Sequence, residues 1–264
     1  MHITILFLIG LSFGSFINVC IYRLPRHISI VAPRSFCPHC GTQLAWHELV
    51  PVFSFFFLKR RCRHCGVKIP WRYPVIEFLS ALIVVNFFFL FGFTAQYIIS
   101  SFFALVMLTV ALIDWQHFII PNKLLLTGIV IGAGLKFFFM RDEIIESIAS
   151  AALSVFTVSL ILFLGNRLFR KETMGVGDVK LSGVIGLFLG FQFFLSALWI
   201  AALGGMIYGY GRRALSRMEH PFGSDFQFAP SPDEKIPFGA FLAGASVLVL
   251  ITEKPFTHLL QWSP

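Results

Sequence analysis

Long apolar runs separated by short polar stretches set the pattern of this chain. Apolar residues fill Ile3 to about Tyr22, Val75 to about Phe93, Tyr97–Ile113, Leu124–Met140 and Ile144–Leu164. About 20 helical residues cross the hydrocarbon of a bilayer, so each run predicts a membrane helix. Leu181–Tyr210 is 30 residues, too long for one comfortable span. Gly190, Phe191 and Gln192 offer a turn near its middle, which predicts two short helices. Phe238–Ile251 makes a last, short span, extending at most from Ile236 to about Thr252. The pattern predicts an all-α polytopic membrane protein with about eight transmembrane helices.

Composition excludes a soluble reading. Of the 264 residues, 57% are hydrophobic, 13% are charged and 33 are Phe. A soluble domain carries roughly 25% charged residues. The same apolar excess excludes disorder. A net charge of +8 would suggest nucleic acid in a soluble protein, but here the basic residues cluster in blocks between spans and read as a topology signal. The first span lacks Lys or Arg before it and carries Arg23 and Arg26 after it, the reverse of a secretory signal. The N-terminus is therefore expected outside and residue 23 onward in the cytoplasm. With eight crossings, the inside segments 23–74, 114–123, 165–180 and 211–235 hold 18 of the 21 Lys and Arg. Lys136, Arg141 and Lys254 fall outside, and Asp142, Glu143 and Glu146 offset Arg141. Both termini are expected in the periplasm.

The first inside segment carries Cys37-Pro38-His39-Cys40-Gly41 and Cys62-Arg63-His64-Cys65-Gly66. Each is a zinc-knuckle pattern, in which two thiolates close on a metal and Gly tolerates the positive φ that follows. Cys37, Cys40, Cys62 and Cys65 are the expected ligands, with His39 or His64 as possible substitutes in a three-Cys, one-His site. Four thiolates leave Zn²⁺ no open position, so its role would be structural, supplying folding free energy to a loop of low apolar content. Vestigial or redox-active thiols are the alternative, although a cytoplasmic loop argues against disulfides. Cys20, at the end of an apolar helix, reads as a packing residue.

Few acids touch the apolar spans. Glu77 sits just inside the second, Asp114 ends the third, and Asp178 stands in Gly175-Val176-Gly177-Asp178 before the sixth. A carboxylate in lipid costs roughly 2.5–3.5 kcal/mol on insertion scales, so each needs a partner, an interior or an aqueous notch. The predicted topology puts Asp114 and Asp178 at one membrane face. Two such aspartates a few ångström apart would share one proton, activate a water and protonate a leaving amine, the chemistry of aspartic peptide hydrolysis. The glycines around Val176 would admit an extended substrate. The bland alternative is a pair of carboxylates at the lipid–water boundary.

Several blocks in order resemble the bacterial type IV prepilin peptidases, Gly-x-Gly-Asp membrane aspartyl proteases that also act as N-methyltransferases for pilus and type II secretion systems. They are Gly14-Ser15-Phe16-Ile17-Asn18-Val19 through Tyr22-Arg23-Leu24-Pro25, Pro33 to Cys40, Cys62 to Gly66, Arg72 to Glu77, Asp114 with Ile120-Pro121-Asn122, Gly175 to Lys180, and Lys235 to Gly239. The resemblance covers almost the whole chain. It implies Asp114 and Asp178 as the catalytic pair, prepilin or pseudopilin helices as substrates, cleavage after the Gly of a short basic leader, and methylation of the new N-terminus from S-adenosylmethionine in the bacterial inner membrane, with the active site on the cytoplasmic side. Asn122 departs from the Asp of many relatives and is no candidate acid.

Gly14 and Glu77 resemble positions linked to the methyltransferase activity, although Gly14 also suits helix packing and Glu77 a helix start. No stretch reads as a βαβ cofactor domain, so a methyl-donor pocket would have to come from the cysteine loop and membrane helices. Three regions are expected: a first helix over 1–22, a zinc-binding loop over 23–74 and a helical protease core over 75–264. The alternatives are a peptidase-only member, a preflagellin peptidase (which usually lacks the double Cys loop), a transporter and a structural pilus-platform protein. Acids at one face and the absence of an inverted repeat argue against transport.

Overall fold

A computed structural model of the chain describes residues 2–169, 175–216 and 236–260, except the side chains of Phe169, Leu215, Ser216 and 253–260. The basic residues Arg170, Lys171, Arg217 and Lys235 of the topology count lie outside the described residues. The described secondary structure is helical apart from isolated bridges in the cysteine loop. The chain divides into two compact units, Met1–Phe93 and Thr94–Pro264.

In the first unit α1 (His2–Arg23) packs along α3 (Arg72–Phe91), and the loop between them carries the short helix α2 (Phe53–Phe57). Gly10 and Gly14 lie one turn apart on α1. A Cβ on Gly10 would overlap the Ala81 backbone, and one on Gly14 the Glu77 backbone. Lipid gives apolar side chains little reason to prefer protein, so small residues that bring backbones together hold such pairs. Arg23, buried at the end of α1, donates to the carbonyls of Ser29 (2.8 Å) and Arg34 (3.2 Å), fixing the start of the loop.

The second unit holds α4 (Ala95–His117), α5 (Asn122–Phe139), α6 (Ile144–Phe169), α7 (Val176–Leu189), α8 (Phe191–Ser216) and α9 (Phe238–Leu260). The 30-residue apolar run does break where expected: Gly190, at φ +88°, separates α7 from α8. However, α7 begins at Val176, which draws Asp178 into its first turn. Every residue of α7 from Leu181 to Leu189 is buried. Gly186 leaves room for Ser150 and Ser154 of α6, and Ser182 Oγ donates to the Ser154 carbonyl at 3.3 Å. Lys136 is buried in α5, its Nζ donating to Ser147 Oγ at 2.8 Å.

Six helices among the described residues, not eight, are long and apolar enough to cross a membrane: His2–Arg26, Arg72–Phe91, Ala95–His117, Asn122–Phe139, Arg141–Leu168 and Phe191–Ala214. The two that fall short are α7, with 14 residues, and the apolar part of α9, Phe238–Thr252. A helix the length of α7 rises about 21 Å, against a hydrocarbon core of about 30 Å. Its neighbours, not lipid, surround it, so burial supplies the apolar environment that its length does not. The expected sidedness loses the eight-crossing count on which it was built.

Candidate active site and metal centre

The two aspartates come together in the second unit although 64 positions separate them. α4 runs past Asp114 to His117 and stops at Phe118, in the left-handed region at φ 54°, whose N–H donates to the Asp114 carbonyl at 2.9 Å. At the start of α9, the Ala240 N–H donates to Asp114 Oδ2 at 2.8 Å. At the start of α7, the Gly175 N–H donates to Asp178 Oδ2 at 3.3 Å. Each carboxylate thus accepts a first-turn amide at a helix start; the Ala240 N–H is shared with the Pro237 carbonyl at 3.1 Å. Both are buried, at 5% exposure for Asp114 and 7% for Asp178.

Gly239 sits opposite the pair. A Cβ built there would lie 3.0 Å from Asp114 Oδ2 and 3.0 Å from Asp178 Oδ1. The two oxygens are therefore no more than twice that distance apart, and one atom between them can reach both. Ile120 closes the gap from the side: its Cδ1 is 2.7 Å from the same point, and its Cβ is 3.2 Å from where a Gly177 Cβ would stand. Gly239, Ala240 and Ile120 were not among the expected site residues, and the sequence signals were the Ile120-Pro121 and Pro237-Phe238-Gly239 blocks. Asn122 accepts from Lys180 Nζ at 2.9 Å, so the Asn has a cationic partner beside the pair. An apolar groove of about 430 Å³ runs beside Ala240 between α4, α8 and α9, lined by Leu108, Leu112, Trp115, Phe241 and Gly244 among others.

In the first unit the two CxxCG segments fold alike. The Gly41 N–H donates to the Cys37 carbonyl and the Gly66 N–H to the Cys62 carbonyl, each at 2.9 Å, with φ +72° and +71° at the glycines. Matching bridges, Phe36 to Gln43 and Arg61 to Lys68, close the turns. The sulfurs of Cys37, Cys40, Cys62 and Cys65 all lie within 4.8 Å of one another, and Cys37 and Cys65 are 3.9 Å apart. A tetrahedral ion with Zn–S bonds of about 2.3 Å needs sulfurs roughly 3.8 Å apart, so this donor set can hold a metal ion. The Thr42 hydroxyl and amide lower the Cys40 thiol to about 6, and the Cys65 and His64 amides lower that of Cys62. Cys65 is pushed up to about 11: the Val67 amide favours its thiolate, but desolvation and three neighbouring sulfurs outweigh it. Four sulfurs this close together suit a cation at their centre. His39 and His64 are exposed and outside the cluster, and Cys20 is buried in α1 away from it.

Glu77 and Gly14 meet at the crossing of α1 and α3. Glu77 Oε2 accepts the Val52 N–H at 2.7 Å, holding loop backbone to α3. A cavity of about 210 Å³ opens within the unit between the end of α1 and the cysteine loop, and Ser15, Asn18 and Glu48 line it while Gly14 and Glu77 do not. Glu48 is a further residue the sequence pattern did not single out.

The fold and site define a multi-pass all-α membrane protein with a buried aspartate pair facing one gap and a four-cysteine cluster. Residues 8–91 match the bacterial peptidase A24 N-terminal domain and residues 101–210 match the type IV leader peptidase family. Relatives named prepilin leader peptidase/N-methyltransferase include those of Myxococcus xanthus (36% identical, over 77% of this chain and 61% of the relative), Bacillus subtilis (29%, 94% of each) and Burkholderia pseudomallei (30%, over 98% and 88%). The chain thus spans less than two thirds of the Myxococcus protein. The chain belongs to the bacterial prepilin leader peptidase family. No solved structure matches it.

Proposed function

We propose that this protein removes the short basic leader from type IV prepilins or type II secretion pseudopilins at the cytoplasmic face of the bacterial inner membrane, and then N-methylates the new N-terminal residue. The observation that carries the peptidase half is the point opposite Gly239, 3.0 Å from an oxygen of each aspartate. Those two oxygens are therefore no more than twice that distance apart, so a water oxygen bridging them is within hydrogen-bond reach of both carboxyls. Asp114 and Asp178 share one proton. The carboxylate form takes a proton from water as its oxygen bonds to the scissile carbonyl carbon, and the protonated form gives its proton to the leaving amine as the C–N bond breaks. The groove beside Ala240 receives the apolar helix of the substrate, whose basic leader stays in the cytoplasm.

The cysteine cluster holds a structural zinc ion, with all four thiolates as ligands. S-adenosylmethionine, when bound, supplies an electrophilic methyl group to the free amine that cleavage exposes. The 9 basic residues of segment 23–74 support a cytoplasmic position for that loop. Val31, 86% exposed, reports on this: a Val31→Cys protein should react with an impermeant maleimide only after the inner membrane is opened.

The test of the whole reading is mass spectrometry of a prepilin incubated with the purified protein, with and without S-adenosylmethionine. Leader loss and a one-methyl increment on the same product are expected. Leader loss alone would identify a peptidase-only enzyme, and an unchanged prepilin would reject the reading.

A further inference from the structure

The cavity in the first unit holds a buried carboxylate that the protein itself leaves half unsatisfied. Glu48 is 8% exposed, in the short turn Trp46–Leu49. Its Oε2 accepts the Ala45 N–H at 2.8 Å, while its Oε1, also buried, has no hydrogen-bond partner. Of the three basic residues in the lining, Arg23 holds the Ser29 and Arg34 carbonyls, Arg63 meets His47 Nε2 at 3.2 Å, and Lys68 makes no hydrogen bond to Glu48 Oε1. Buried polar atoms are almost always paired, so an orphan carboxylate oxygen on a cavity wall points to a donor that is not part of the chain.

Size and lining say what kind. About 210 Å³ is more than ten times the roughly 10–15 Å³ that one water requires. Tyr22, Phe36, Phe55 and Tyr73 supply aromatic walls on which a flat base can lie. A nucleoside that carries hydroxyl and ammonium groups brings donors for Glu48 Oε1, and a carboxylate on the same molecule would find Arg63 and Lys68 in the same lining.

We infer that this cavity is the methyl-donor site, and that Glu48 Oε1 accepts hydrogen bonds from the hydroxyl or ammonium groups of S-adenosylmethionine. The inference rests on the methyl-transfer reading above. It also gives Gly14 and Glu77 a place as positioning residues: Gly14 lets α1 approach α3, and Glu77 anchors Val52 of the loop that carries Glu48.

The experiment is equilibrium dialysis of labelled S-adenosylmethionine, and of S-adenosylhomocysteine, against the full-length metal-loaded protein in detergent. Glu48→Gln keeps an acceptor for Ala45 but loses the charge, and should weaken binding of both compounds roughly ten- to a hundredfold. Ser54→Phe fills the cavity from another wall with the Glu48 cap intact, and should also abolish binding. Metal content and thermal midpoint are read alongside, to exclude loss of fold. Unchanged affinity in both variants, with methyl transfer intact in the wild type, would leave the reading standing and overturn the site, making the cavity a hydrated void. A wild-type protein that neither binds the donor nor methylates a pre-cleaved peptide would remove the reading and the site together.

Discussion

Replacing Gly239 by Ala pushes one methyl group against the two carboxyl oxygens that the proposed reaction needs to bridge with a water. The new Cβ would stand 3.0 Å from Asp114 Oδ2, 3.0 Å from Asp178 Oδ1 and 2.7 Å from Ile120 Cδ1. Unstrained carbon contacts lie at about 3.5–4.0 Å, so Ile120 must retreat by close to an ångström or α9 must shift. A shift of α9 would lengthen the 2.8 Å bond from Ala240 to Asp114. Overpacking of this kind typically costs about 1–3 kcal/mol of stability. Chemistry suffers more, because the methyl displaces the water and misplacement of a reacting group by about 1 Å costs on the order of a hundredfold. The expected result is a fall in leader cleavage of at least about a hundredfold in kcat, in a protein that still folds. Methyl transfer to a pre-cleaved peptide should stay near the wild-type rate, since the proposed donor site lies in the first unit. Both are read by mass spectrometry of peptide products from detergent-purified protein. Near-wild-type cleavage by Gly239→Ala would refute the claim that the space opposite Gly239 is where water is activated.

Asp114→Asn and Asp178→Asn should each nearly abolish cleavage and show no further loss when combined, because neither carboxyl works without the other; substantial cleavage by either single variant would reject the pair. Each should still methylate a pre-cleaved substrate, and loss of both activities in a folded variant would mean that the two sites share residues. Metal analysis should find about one zinc per chain, with Cys37→Ser or Cys62→Ser lowering it and loosening the loop; acid should release the metal, since only thiolates bind it. Full loop stability after verified metal removal would end the structural role. Gly244→Leu, at a groove position with open space around it, should raise KM for the membrane substrate more than it lowers kcat, and an unchanged KM would move the substrate helix elsewhere.

The parts of this protein that were legible before folding are those set by local chemistry. Hydropathy found the long spans, since each must match the thickness of lipid. The CxxCG spacing found the four-cysteine cluster, because one turn of backbone brings two sulfurs together and Gly41 and Gly66 take up the positive φ that follows at little cost. The cost of a carboxylate at a membrane singled out Asp114 and Asp178. The same hydropathy miscounted α7 and α9, because an apolar helix wrapped by protein and one bathed in lipid have the same composition.

Glu48 escaped notice for a related reason: a Glu in a polar loop reads as solvated until the fold buries it with one oxygen unpaired. Gly239 escaped because its significance is the absence of a side chain at a point that α4, α7 and α9 define together. The sequence by itself determined the membrane class, the family and the residues capable of chemistry, since each follows from composition or from neighbours in the chain. Only the tertiary structure decided that Asp114 and Asp178 face one gap, that Gly239 keeps it open and that Ile120 closes its side, because those relations are distances between residues far apart in sequence and are fixed by how the helices pack.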